Sequence, residues 1–187
     1  PARNLYWGAR FGVKTHFAAS REWRAVSSVG NPTPKILERV VYKHKTLDAY
    51  LVADAYRGAE IKQATADFLL AASGASRETV NVGGKTYGLS RGAASHLVAY
   101  VGHNGLMDFS VPQPAAPNPP TGKDAIILCC KSKEYFVPVL RPVRSRPLLL
   151  TTQLMYPGSF VLHDALEEYL SGGKSEAMRE QAARAYA

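Results

Sequence analysis

The feature that most restricts the fold of this chain is a pair of short, uninterrupted apolar runs that each lead to a reactive side chain. The first run, Leu97–Val101, is followed after one glycine by His103. The second run, residues 125–128, is followed directly by Cys129 and Cys130. Runs of this length without alternation are typical of strands that are buried on both faces of a parallel sheet. Because ligands bind beyond the carboxyl ends of such strands, we expect the imidazole and a thiol to emerge side by side.

Strand and helix signals alternate along the rest of the chain. Residues 49–55 form a further apolar run and a candidate central strand, and an amphipathic helix follows from Ile61 until Gly74 ends it. The other predicted elements are strands at residues 5–9, 36–42 and 148–152, a hairpin at 78–89, and helices at 12–26, 160–170 and 175–185. This order predicts one α/β domain over residues 1–187, with a mostly parallel central sheet.

Composition restricts the classes of partner. The chain has 187 residues, of which 46% are hydrophobic and 20% are charged, as in soluble globular proteins. No apolar run approaches the roughly 20 residues that span a bilayer, so no membrane partner is expected. The net charge of +8 is spread along the chain without a nucleic-acid-binding motif, so nucleic acid is not expected either. The given sequence starts without a signal-peptide pattern and without Met. Trimming of the N-terminus therefore stays an open alternative, and no compartment is predicted.

The chain has only two cysteines, Cys129 and Cys130, and they are adjacent. Neighbouring cysteines make a strained disulfide, and two without further ligands at metal spacing make a poor zinc site. The remaining interpretations are a buried structural cysteine or a reactive thiol. A nearby imidazole would promote the thiolate that a nucleophile requires. Main-chain N–H groups of the turn around His103, at Asn104 and Gly105, are candidate donors to an oxyanion.

These two blocks resemble the catalytic blocks of caspase-like cysteine peptidases. Tyr100-Val101-Gly102-His103-Asn104-Gly105 is similar to the family's histidine block, and Ile126-Ile127-Leu128-Cys129-Cys130-Lys131-Ser132 is similar to its cysteine block. The resemblance, to a divergent bacterial-type member, implies a three-layer α/β/α fold with a mostly parallel sheet. It also implies cysteine endopeptidase activity, with His103 and Cys130 as the catalytic pair. Cys129 stands at the position where the family usually has an alanine, and it is the alternative nucleophile.

Two departures from the family pattern keep a second interpretation open. Asn104 stands where the family has the glycine whose amide contributes to the oxyanion hole, and Gly105 comes one position later. Only 27 residues (130 − 103) separate His103 from Cys130, whereas caspases have roughly 50. The alternative is an inactive caspase-like module that serves protein–protein interaction.

Three charged residues are candidates for binding a protein or peptide substrate. Arg57 follows the strand at residues 49–55, and the resemblance implies that a basic residue there binds an acidic substrate side chain. Asp54 and Asp108 are candidate partners of His103 or of a basic substrate residue. No metal or organic cofactor is implied, and the oligomeric state is left open.

Overall fold

The computed structural model describes residues 1–76, 78–88, 96–115, 122–156 and 158–187, and it is a mixed α/β structure. The segment 90–95 and the centre of the proline-rich loop predicted at residues 109–122 lie outside the described residues. The helices are α1 (Val13–Ala18), α2 (Ile61–Ala72), α3 (Ser132–Leu140), α4 (Phe160–Leu170) and α5 (Ser175–Tyr186). The strands are β1 (Trp23–Gly30), β2 (Ile36–His44), β3 (Tyr50–Tyr56), β4 (Thr79–Val82), β5 (Lys85–Gly88), β6 (Leu97–Val101), β7 (Asp124–Leu128) and β8 (Arg146–Leu150).

The two apolar runs form neighbouring strands of a parallel sheet, as predicted. β7 lies between β6 and β8, and its register pairs Val101 with Leu128. Because side chains alternate along a strand, Ile126 and Leu128 pack with residues of α4 and α5, whereas Ile127 and Cys129 pack with aromatic residues of α2 and α3. β7 therefore has no solvent-facing side, which explains its uninterrupted apolar sequence.

The first three strands form a separate antiparallel sheet in the order β1-β2-β3, and this differs from the prediction. The candidate central strand at residues 49–55 corresponds to β3, which pairs with β2 instead of joining the parallel sheet. Only the five residues 31–35 and the five residues 45–49 connect these strands. Connections this short allow antiparallel pairing but are too short for a parallel crossover. The mostly parallel sheet is therefore limited to β6, β7 and β8.

The N-terminal segment also differs from the prediction. Residues 5–9 form turns instead of a strand, because the N–H groups of Trp7, Gly8 and Ala9 all donate to the carbonyl of Asn4. The predicted helix at residues 12–26 is shortened to α1. It stops because the Ser20 hydroxyl accepts the main-chain N–H groups of the next turn, and β1 begins there.

The predicted hairpin and the remaining helices are confirmed. β4 and β5 pair through a turn at Gly83 and Gly84, whose φ angles of 59° and 81° favour glycine. The segment after Cys130 forms α3, which contains Pro138. Across the described ranges, no helix is long and apolar enough to cross a bilayer.

Candidate functional site

The turns that follow β6 and β7 are joined by a direct hydrogen bond. The strand register places His103 and Cys130 at equivalent positions, each two residues beyond the pair Val101–Leu128. The Asn104 side chain is fully buried, and its Nδ2 donates to the carbonyl oxygen of Cys130 at 2.7 Å. The turn that carries the imidazole and the turn that carries the thiol therefore contact each other, as the two sequence blocks predict.

The His103 ring is held by Asp108. A short 3₁₀ turn, Gly105–Met107, brings the Asp108 carboxylate back to 2.7 Å from His103 Nε2. The ring is 53% exposed, and the Tyr100 hydroxyl donates to the His103 carbonyl at 2.8 Å. Because the carboxylate accepts the proton of Nε2, this pairing favours the tautomer in which Nδ1 is the free base. Of the two predicted acidic partners, Asp108 is the one that contacts His103.

The two cysteines have opposite environments. Cys129 is 0% exposed and lies among the aromatic residues of α2 and α3. Burial of this thiol raises its pKa to about 12, and the nearby Cys130 makes a smaller contribution in the same direction. Cys130 is partly exposed. This difference follows from the alternation of side chains beyond β7. Only Cys130 combines solvent access with a position beside the His103 turn.

The cysteine turn is also held by the segment that follows β8. The Thr151 hydroxyl donates to the carbonyl of Cys129, and Lys131 N–H donates to the carbonyl of Gln153 at 2.9 Å. Lys131 adopts a left-handed conformation with φ of 51°, which lets α3 start immediately after the thiol. Sequence analysis gave Thr151 no role in the site, although a hydroxyl at the end of the predicted strand at residues 148–152 was a usable signal.

The two predicted oxyanion residues differ in the availability of their main-chain N–H groups. The N–H of Gly105 donates to the carbonyl of His103 at 3.1 Å, so it is already paired. A Cβ at Gly105 would come within 2.3 Å of the Phe109 ring, which gives the glycine a packing role. The N–H groups of Asn104 and Cys130 have no acceptor within the part of the chain that the structure describes. Asn104, the residue directly after the histidine, is therefore the better candidate donor.

The two predicted substrate-binding residues near β3 have partners of their own. Both oxygens of Asp54 bind Arg39 at 2.6 Å, so this carboxylate does not contact His103. Arg57 Nε donates to the carbonyl of Pro34, and Nη2 donates to Asn31. Both residues line a cavity of about 1300 Å³ that extends as far as Gly102 and His103. Cys130 is not among the residues that line it.

Tyr6 is a residue of this region that sequence analysis missed. It lines the same cavity as His103. Burial raises the pKa of the Tyr6 hydroxyl, and the nearness of Cys130 and Cys129 raises it further. The turn-rich N-terminal segment therefore contributes a phenol to the cavity that His103 also lines. No pattern in the sequence indicates this position.

Comparisons with known proteins add no relative to this description. No family model, no curated protein and no solved structure matches the chain. Among the residues that the structure describes, no group of three or more His, Cys, Asp or Glu side chains could hold a metal ion.

Replacing Asn104 with Ala should destabilise the protein by about 1–3 kcal/mol, because the Cys130 carbonyl would lose its buried donor. Urea denaturation would measure the free energy of unfolding. Gln113→Ala is the matched control, since the exposed Gln113 amide makes a similar bond to the carbonyl of Val139 at 2.8 Å. The control should change stability by less than about 0.5 kcal/mol. Equal effects of the two substitutions would contradict the role given to Asn104.

Proposed function

We propose that this chain is a caspase-like cysteine endopeptidase in which Cys130 is the nucleophile and His103 is the general base. The observation that carries the proposal is the 2.7 Å bond from Asn104 to the Cys130 carbonyl, because it joins the thiol turn to the imidazole turn. The contact of Asp108 with His103 adds an orienting carboxylate, so the base has the support that an activated nucleophile requires.

The proposed reaction proceeds through a thioester. His103 Nδ1 takes the proton from Cys130 Sγ, and the thiolate attacks the carbonyl carbon of the peptide bond. The N–H groups of Asn104 and Cys130 donate to the oxyanion that forms. The imidazolium then gives its proton to the leaving amine, and a water molecule activated by His103 hydrolyses the thioester. Asp108 keeps the ring oriented and stabilises its charged form.

The proposal includes the three-layer arrangement of caspase-like proteins. It is supported by the packing of α2 and α3 residues with one side of β7 and of α4 and α5 residues with the other. The preferred substrate is expected to carry an acidic side chain, because the exposed Arg57 lines the cavity that extends to His103. Asp54 is not assigned to substrate binding, since Arg39 neutralises it.

Alkylation with iodoacetamide at pH 7.5 tests the proposed pair. Cys130 should react, whereas Cys129 should not, because its raised pKa keeps it a thiol far above neutral pH. His103→Ala should slow the labelling of Cys130 about tenfold or more, since the thiolate loses its base. Mass spectrometry of tryptic peptides from brief labelling, without unfolding the protein, would measure both sites.

The control for this experiment is His96→Ala. His96 is an exposed histidine that precedes the same strand at its opposite end, so its loss should leave the labelling rate of Cys130 unchanged. An unreactive Cys130, or a rate that does not change in His103→Ala, would instead favour the inactive module for protein–protein interaction.

A further inference from the structure

Two hydroxyl groups hold the main chain around Cys130. The Ser132 hydroxyl donates to the Ile127 carbonyl at 2.8 Å, and the Thr151 hydroxyl donates to the Cys129 carbonyl. Each hydroxyl oxygen also accepts the main-chain N–H of the other residue. Thr151 N–H donates to Ser132 Oγ at 2.8 Å, and Ser132 N–H donates to Thr151 Oγ1 at 3.1 Å. These two side chains, the hydroxyl pair, therefore satisfy four main-chain groups at once.

The hydroxyl pair continues the pairing of β7 beyond the end of the sheet. The last residues that β7 and β8 pair are Ile127 and Leu150, so the Cys129 carbonyl lies past the ladder. Cys129 is fully buried, and a buried carbonyl without a donor would cost free energy. Thr151, the residue directly after β8, supplies this donor from its side chain.

The same hydrogen bond fixes the direction of the Cys130 N–H. A peptide unit is planar and almost always trans, so the Cys129 carbonyl and the Cys130 N–H point in opposite directions. The carbonyl points to Thr151, on the β8 side of β7, and β6 lies on the other side. The Cys130 N–H is therefore directed to the side of the His103 turn, where the proposed reaction needs an oxyanion donor.

The Cys130 turn is thus held from two sides, by Asn104 from the β6 side and by the hydroxyl pair from the β8 side. We propose that Ser132 and Thr151 are positioning residues of the peptidase site, whose hydroxyls direct the thiol and the N–H of Cys130 to the His103 turn. This inference rests on the proposed function, because the hydroxyl pair acts only through Cys130.

Thr151→Val tests the inference, because valine keeps the shape of the side chain and removes the hydroxyl. Labelling of Cys130 by iodoacetamide at pH 7.5 should slow by about fivefold or more, since the Cys129 carbonyl loses its donor. Thr151→Ser keeps the hydroxyl and should restore most of the rate. The matched control is Thr152→Val, which removes the hydroxyl of the exposed neighbouring threonine and should leave the rate unchanged.

A double-mutant cycle separates positioning from general stabilisation. If the hydroxyl pair acts by directing the thiol to its base, it has nothing to contribute once the base is gone. In the His103→Ala background, Thr151→Val should therefore change the labelling rate by less than about twofold. A purely structural role would instead change the rate by the same factor in both backgrounds. Thermal unfolding followed by circular dichroism would establish that each variant folds.

The possible outcomes distinguish this inference from the proposed function. If His103→Ala slows labelling but Thr151→Val does not, only the positioning role is wrong. Equal factors in both backgrounds, or a Thr151→Ser variant as slow as Thr151→Val, would also overturn it. If His103→Ala leaves the rate unchanged, the catalytic pair itself is wrong and the positioning role fails with it. Should Thr151→Val not fold, Ser132→Ala replaces it in the same cycle, because it breaks the hydroxyl pair from the other side.

Discussion

Cys130→Ala should reduce peptide hydrolysis by at least about 10³-fold, whereas Cys129→Ala should keep the rate within a few-fold of the unmodified chain. The two thiols are neighbours in sequence, yet only Cys130 is partly exposed beside the His103 turn. Cys129 lies in the core, and burial holds the pKa of its thiol at about 12. Cys130→Ala removes the proposed nucleophile and with it the proposed thioester route, while Cys129→Ala leaves only a small cavity in the core.

The measurement is the initial rate on a mixture of quenched fluorescent peptides that includes acidic residues at the varied position. Circular dichroism and thermal unfolding would establish that both variants fold. A reversal, with Cys129→Ala inactive and Cys130→Ala active, would exchange the roles of the two thiols. Equal, low rates in all three proteins would contradict the peptidase proposal.

Phe136→Ala should destabilise the protein by about 3–5 kcal/mol. The Phe136 ring is 0% exposed, and its centroid lies 5.6 Å from that of Tyr100 and 5.9 Å from that of Phe68. This aromatic group joins α3 and α2 to β6, the strand that precedes the His103 turn. Because the free energy of unfolding of small proteins is only about 5–15 kcal/mol, the substitution would remove a large fraction of it.

Urea denaturation, read as the free energy of unfolding, would measure this effect. Lys133→Ala is the control, since Lys133 lies on the same helix with an exposed side chain and should change stability by less than about 0.5 kcal/mol. If Phe136→Ala lowers the free energy of unfolding by less than about 1.5 kcal/mol, neighbouring side chains have moved into the space left by the ring. The aromatic group would then not be needed to hold α2 and α3 against β6.

The part of the site that could be predicted from sequence is the part that strand geometry determines. An apolar run without alternation is typical of a strand that is buried on both faces, and this pattern identified β6 and β7. The burial itself is confirmed for residues 125–128 of β7, whereas in β6 only Tyr100 is buried and Ala99 is exposed. Their parallel pairing aligns His103 with Cys130, and alternation separates the exposed thiol from the buried one. These conclusions need only local sequence and the two-residue period of a strand.

The remaining contacts depend on turns and on distant segments. Asp108 reaches His103 because a 3₁₀ turn reverses the chain, and the Asn104 side chain points inward to Cys130. Neither orientation can be derived from spacing along the chain. The prediction that residues 49–55 form a central strand of a mostly parallel sheet was wrong for a similar reason. An apolar run indicates burial, but the short connection before β3 selected antiparallel pairing with β2.

The buried Asn104 side chain has a consequence for how the protein loses its structure. It accepts from Leu106 N–H within its own turn and donates to the Cys130 carbonyl in the other, so both turns lose a partner when either one opens. Local opening is cooperative within such units. On heating, imidazole and thiol should therefore become disordered in the same step, and a half-assembled species that holds only one of them should not accumulate.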